Sequence, residues 1–400
     1  MLNRYNFGQL PFAFIFLGIL LWFQSVHGQG GQFTAEAIYT FGGEIHFDLT
    51  AVTNEPIETA TIFLQKPNVA APSYAPANLL QMADGTVTAE YKVAAQAIQL
   101  PPFADVTYWW VLETVAGDQI ETPPQTLSYQ DGRFGWHTLL VREDEAAIRW
   151  PGDETEVGLV AQQTVAATRQ QIANLLPLPT DRFPDIVLYP SLADLRSALR
   201  LNGHDWVNGR ADPALGLVLS TAVNDRTAVN DLPRSLPPEL FYFWLYQTAG
   251  ETTHTIPPWF SEGIAQQLNG AFSPSEMEML QTAVTHNNTV PLADLCAQFP
   301  ANNSALARVQ SESLTRYVQA NYGDDALPGL LVDFLAGEDC NTAVQHTLKT
   351  TPSQLEQDWL DANRPQPAPI RFLQENGLYL LLLLVGFVIM GLLIRWPKPI

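Results

Sequence analysis

Two glutamates, Glu239 and Glu262, are the residues of this chain best suited to chemistry. Each follows closely on a Pro-Pro pair, Pro237-Pro238 and Pro257-Pro258, and proline is tolerated in the first turn of a helix rather than its interior. Each glutamate therefore sits near a helix start, where a carboxylate meets the positive end of the dipole. That alone accounts for both. The alternative is that the two work together in one site. His254 lies between them and is the one nearby imidazole, so it could join Glu239 and Glu262 in an irregular metal site. His46, His137, His204, His286 and His346 show no ligand spacing, and no G-x-S-x-G, P-loop or EF-hand pattern occurs. The run Glu143-Asp144-Glu145 reads as a solvated turn.

The surroundings of Glu262 are more specific. Pro257-Pro258-Trp259-Phe260-Ser261-Glu262-Gly263-Ile264-Ala265 resembles the P-x-W-x-x-E-G-x-A segment of peptidase MA-like (gluzincin-type) metallopeptidases. In that family the Glu is the third zinc ligand, and an upstream H-E-x-x-H helix supplies two His ligands and a Glu base. Aligned on Glu239, this chain has Pro238 and Tyr242 where the two His belong. A catalytic zinc site has three protein ligands and an open position. Pro238 has no side-chain donor, and Tyr242 would bind only as a phenolate. The resemblance therefore implies the family fold with Glu239 as a vestigial base and Glu262 as a vestigial ligand position, and no zinc or other cofactor.

Two further stretches carry the resemblance. Gly209-Arg210-Ala211-Asp212-Pro213, followed by Gly216-Leu217-Val218-Leu219, is similar to the family's G-x-A-x-P … G-x-x-L stretch. It implies an exposed sheet edge at 216–220 to which an extended peptide can add as a strand. Leu306-Ala307-Arg308-Val309-Gln310-Ser311 stands where the family has L-A-Y-x-x-S, with Arg308 at the Tyr. Arg308 is either a charge partner for Glu239 or Glu262 in place of a metal, or an ordinary solvated helix arginine.

The elements that position these residues follow from periodicity. Segments 35–39, 44–51, 59–64, 87–93, 97–100, 107–113 and 126–129 are rich in Thr, Val, Ile, Phe and Tyr and are separated by Gly, Pro and Asn. They predict an immunoglobulin- or fibronectin-like sandwich over 32–130. The pair Trp109-Trp110 reads as core packing, with a carbohydrate-binding aromatic surface as the alternative. A hairpin at 137–150, a helix at 157–176, a strand at 185–189 and a helix at 191–199 capped by Ser191 open an α+β region. Pro237 and Pro238 predict that the helix bearing Glu239 starts there and runs over 239–246. A second helix covers 259–268, and helices at 274–285, 306–321, 325–335, 341–347 and 351–363 complete the region. The tandem Thr-Ala-Val-Asn-Asp at 221–225 and 227–231 reads as an inserted surface loop.

The expected order is a secretory signal over 1–28, the sandwich over 32–130, a gluzincin-like domain over 133–362, a Pro-rich spacer over 363–376, a transmembrane helix over 377–394 and a cytoplasmic tail over 395–400. The signal rests on Arg4, the apolar run 12–23 and Val26-His27-Gly28. The anchor rests on an unbroken apolar stretch followed by Arg395, Trp396 and Lys398, which puts the ectodomain outside. Cys296 and Cys340 in an exported chain predict one disulfide, with two separate buried thiols as the alternative. Acidic residues number 41 against 20 basic, a formal charge of −21, which excludes a nucleic-acid partner. At 46% hydrophobic the chain can bury cores and is not disordered. The expected function is a membrane-anchored binder of a peptide or protein. A zinc metallopeptidase with an atypical site and a purely structural envelope protein are the alternatives.

Overall fold

Alternation of apolar and polar side chains builds the N-terminal region. In the strand Glu44–Val52 the buried positions are Ile45, Phe47, Leu49 and Ala51, so one face turns inward. The computed structural model describes residues 33–66, 69, 71–141, 146–152, 156–203, 217–222, 228–300, 302–364, 376–377 and 379–386. The expected signal, the 209–213 motif, the acidic run 143–145, His204, most of the Pro-rich spacer, residues 387–394 of the expected anchor and the tail lie outside the described residues.

The first region contains β1 (Phe33–Tyr39), β2 (Glu44–Val52), β3 (Ile57–Gln65), β4 (Ser73–Pro76), β5 (Asn78–Gln81), β6 (Thr86–Ala94), a one-turn helix α1 (Ala95–Ile98), β7 (Ala104–Thr114), β8 (Gln119–Glu121) and β9 (Gln125–Tyr129). They form two antiparallel sheets, β1-β2-β6-β5 and β4-β3-β7-β8, with β9 also paired to β7. Inner residues of both sheets, among them Phe47, Ile62, Tyr108 and Trp110, share one core. The tryptophan pair is split, with Trp110 fully buried and Trp109 on the outer face. Segment 97–100 is not a strand. It belongs to the end of α1, which Gln99 closes in the left-handed region at φ 47° before Pro101-Pro102.

The second region opens with β10 (Trp136–Val141) and β11 (Ala146–Pro151), an antiparallel hairpin. After α2 (Glu156–Leu175) come β12 (Ile186–Tyr189), α3 (Leu192–Leu201) and β13 (Val218–Thr221), and the sheet order is β10-β11-β12-β13 with the last three parallel. Ser191 caps α3 by accepting from the Asp194 N–H. β13 ends this sheet among the described residues, yet its side chains are not an open surface. Val218, Leu219 and Ser220 are buried because α3 and the next helix pack against the strand.

The remaining elements are α4 (Ala228–Ala249), a 3-10 turn (Gly250–Thr255), α5 (Pro258–Leu268), α6 (Pro274–Thr285), α7 (Leu292–Ala297), α8 (Ser304–Tyr322), α9 (Ala326–Leu335), α10 (Cys340–Leu348) and α11 (Pro352–Asn363). α4 corrects the sequence expectation. It does not start at the Pro-Pro pair but runs through Pro233, Pro237 and Pro238. Each interior proline costs about 3 kcal/mol through a lost hydrogen bond and a clash. Against this, Leu232, Leu236, Leu240, Phe241, Trp244 and Leu245 are essentially fully buried, at roughly 1.5–3 kcal/mol each. Burial wins, and the helix continues. The repeat is likewise no simple loop, since Thr221 closes β13 and Ala228–Asp231 enter α4.

Cys296 and Cys340 form a disulfide, with Cα atoms 5.8 Å apart, joining the end of α7 to the start of α10. Residues 379–386 are helical, with Leu381, Leu382, Leu383 and Leu384 each more than half exposed. Among the described residues no helix is long and apolar enough to cross a membrane.

Candidate functional site

Because α4 is helical through its prolines, residues 231, 234, 235, 238, 239 and 242 fall on one stripe at spacings of three and four. That stripe lines a cleft of about 550 Å³. α5 supplies Glu262, Ala265 and Gln266, with Asn269 at its C-terminal cap, α8 supplies Arg308, and Leu192 of α3 completes the lining. Glu239, Glu262 and Arg308 therefore meet in one place. His254 does not line the cleft; it is exposed on the 3-10 turn.

Glu262 is 2% exposed. A buried carboxylate needs charge or hydrogen-bond partners. The Tyr242 hydroxyl donates to its Oε1 at 2.5 Å. Arg308 Nε lies 3.6 Å from its Oε2. Gly263 makes this approach possible. A Cβ there would fall 2.5 Å from the Ser311 carbonyl oxygen and 2.5 Å from Thr315 Cγ2, so only glycine lets α5 lie this close to α8. Arg308 is one turn before Ser311 on α8, which brings its guanidinium over the residue preceding Gly263.

The donor set does not fit zinc. Pro238 offers no side-chain donor, Tyr242 already spends its hydroxyl proton on Glu262, and the second Glu262 oxygen faces a guanidinium. Three protein ligands are the usual minimum for a catalytic zinc.

Sequence reasoning singled out Glu239, Glu262 and Arg308 but missed Tyr242 as the hydrogen-bond donor to Glu262. It also missed Asp231, Arg234 and Ser235 as cleft residues. Their signal was present, since 231, 235, 238 and 242 have helical spacing, but the prolines masked it.

No curated protein matches the chain. Solved structures match it weakly. A myokine structure shares 11% identity over 24% of this chain and 93% of its own, with a TM-score of 0.19. A carbohydrate-binding module family 56 β-1,3-glucan binding domain shares 15% over 24% of this chain and 98% of its own, with a TM-score of 0.16. OgpA from Akkermansia muciniphila shares 11% over 26% of this chain and 30% of its own, with a TM-score of 0.20. Likenesses this slight identify neither fold nor activity. The sequence pattern of the Peptidase MA superfamily, by contrast, matches residues 161–362. That match spans half of the chain and takes in the helices of Glu239, Glu262 and Arg308 alike: this protein belongs to the Peptidase MA superfamily.

Proposed function

We propose that this protein is a zinc-less member of the superfamily that holds a peptide or protein segment in the α4–α5–α8 cleft without cleaving it. The reading rests on Glu262, whose two oxygens are engaged by Tyr242 and Arg308 rather than left open for a metal. A metallopeptidase with an atypical site is the second reading, and the observation favouring it is that Glu239 and Glu262 both line the cleft. Metal content separates the two. The Pro238→His/Tyr242→His variant puts two imidazoles one turn apart on the cleft stripe and removes the Glu262 hydrogen bond. It should take up about one zinc per chain, where the wild type takes up none. Wild-type protein carrying one tightly held zinc, lost on Glu262→Ala, would overturn the binder reading.

In the same proposal the β-rich region is an immunoglobulin- or fibronectin-like sandwich. Residues 377–394 anchor the chain in a membrane with 29–370 outside. The apolar, exposed helical stretch at 379–386 supports the anchor. Protease added to intact cells should then remove the ectodomain; full protection contradicts the orientation.

A further inference from the structure

The outer face of a two-layer antiparallel arrangement is ordinarily polar, its apolar residues being turned to the core. The β4-β3-β7 sheet departs from this at one row. Tyr74 on β4 pairs with Phe63 on β3, and Phe63 pairs with Trp109 on β7, so three aromatic rings stand side by side on the outward face. The Phe63 and Trp109 rings are 5.3 Å apart and 12° from parallel, and Tyr74 adds a ring 5.7 Å from Phe63. Cross-strand packing explains the Phe63–Trp109 pair. It accounts for the Tyr74 contact with Phe63 too, but not for a tyrosine left 73% exposed at the end of the row on an edge strand.

We propose that this aromatic row is a binding site for a neutral carbohydrate chain. None of the five strands in the sheet contains a lysine or arginine. The same outward face carries Glu113 and Glu121, so phosphate, sulfate, uronate and nucleic-acid ligands are repelled. An added peptide strand is disfavoured at the β4 edge, which is four residues long and carries Pro76, a residue with no N–H to donate. A neutral glycan matches what remains. Its pyranose C–H face packs on an aromatic ring, whose face is electron-rich. Its hydroxyls find acceptors in Thr61 and Thr107 on either side of the row and in the carboxylates beyond them. Strands about 4.8 Å apart make the row about 10 Å long, room for more than one sugar ring. The site is on the opposite side of the sheet from the core and uses no residue of the cleft.

The test uses the full-length chain purified in detergent and a panel of neutral hexasaccharides built from glucose, mannose and N-acetylglucosamine. Heparin, polygalacturonate and an apolar peptide are the comparison probes. At least one neutral hexasaccharide should bind. Tyr74→Ala should weaken that binding by at least about tenfold, the usual scale of one aromatic stacking contact, and Tyr74→Phe should hold it near the wild-type value. Tyr74 is exposed, so both variants should melt with the wild type, which separates lost binding from lost folding. Binding of none of the neutral panel overturns the proposal. So does binding indifferent to Tyr74→Ala, or a Tyr74-dependent preference for heparin, polygalacturonate or the peptide.

Discussion

Glu262 shows how one residue can be legible in a sequence while its role is not. Its position was marked by the segment Pro257 to Ala265, and Arg308 was marked by the stretch from Leu306 to Ser311. Tyr242 looked only like a missing histidine, because the direction of its hydroxyl depends on the phase of a helix whose start the prolines concealed. The geometry makes the three a unit, and a unit should behave non-additively. Arg308→Ala removes the guanidinium facing a 2%-exposed carboxylate that keeps its tyrosine. Breaking a fully buried pair costs about 3–5 kcal/mol. Arg308 is a third exposed and 3.6 Å away, so the expected loss is smaller, about 1–3 kcal/mol. Glu262→Gln keeps an acceptor for Tyr242 and removes the charge, so adding it to Arg308→Ala should restore most of the loss. Urea unfolding of the full chain measures the cycle, and strict additivity of the two changes would show that the ion pair contributes nothing.

At the scale of elements, local rules worked where burial agreed with them and failed where it did not. The rule that proline starts a helix fits α5, α6 and α11, each with proline in its first turn. It failed in α4, because no local rule counts the six apolar side chains that α4 sinks into the core. β4, β5 and β8 are three or four residues long, too short for alternation to register. The disulfide was legible from two cysteines in a chain expected to be exported. It ties α7 to α10, and Trp259 of α5, one turn before Glu262, donates its indole N–H to Cys340 Sγ at 3.4 Å. The bond therefore braces the helix that carries the site. For a sequence separation of 44, the chain-entropy account gives about 4 kcal/mol of stabilisation. Reduction, or replacement of both cysteines by serine, should lower the urea midpoint accordingly. A midpoint unmoved by reductant would show that the bond does not form in solution.

At the scale of the whole molecule, the two regions were legible separately but their junction was not. Its residues come from positions near 41, 103, 129–136 and 187–203, which nothing in the sequence brings together. A third apolar cluster spans the boundary, with Phe103, Tyr189, Leu195 and Leu199 buried against Phe41, Phe134 and Trp136. Tyr129, at the end of β9, donates its hydroxyl to Asn202 at 2.5 Å, after the end of α3, and accepts from the Gly42 N–H at 2.8 Å. Burial raises that hydroxyl to about 12, so it remains a donor at neutral pH. Asp131 is fully buried between Arg133 Nη2 at 2.6 Å and the Tyr189 hydroxyl at 3.1 Å. A junction holding a buried carboxylate and shared apolar side chains should couple the regions, so the full chain should unfold in one calorimetric transition. Asp131→Ala removes the acceptor shared by Arg133 and Tyr189, at a cost of about 2–4 kcal/mol given that Arg133 is partly exposed. It should lower the transition and split it into a β-rich and a helical step. Two resolved transitions in the wild type, or an Asp131→Ala variant with the wild-type midpoint and a single step, would show that the junction is only contact and that each region holds itself together.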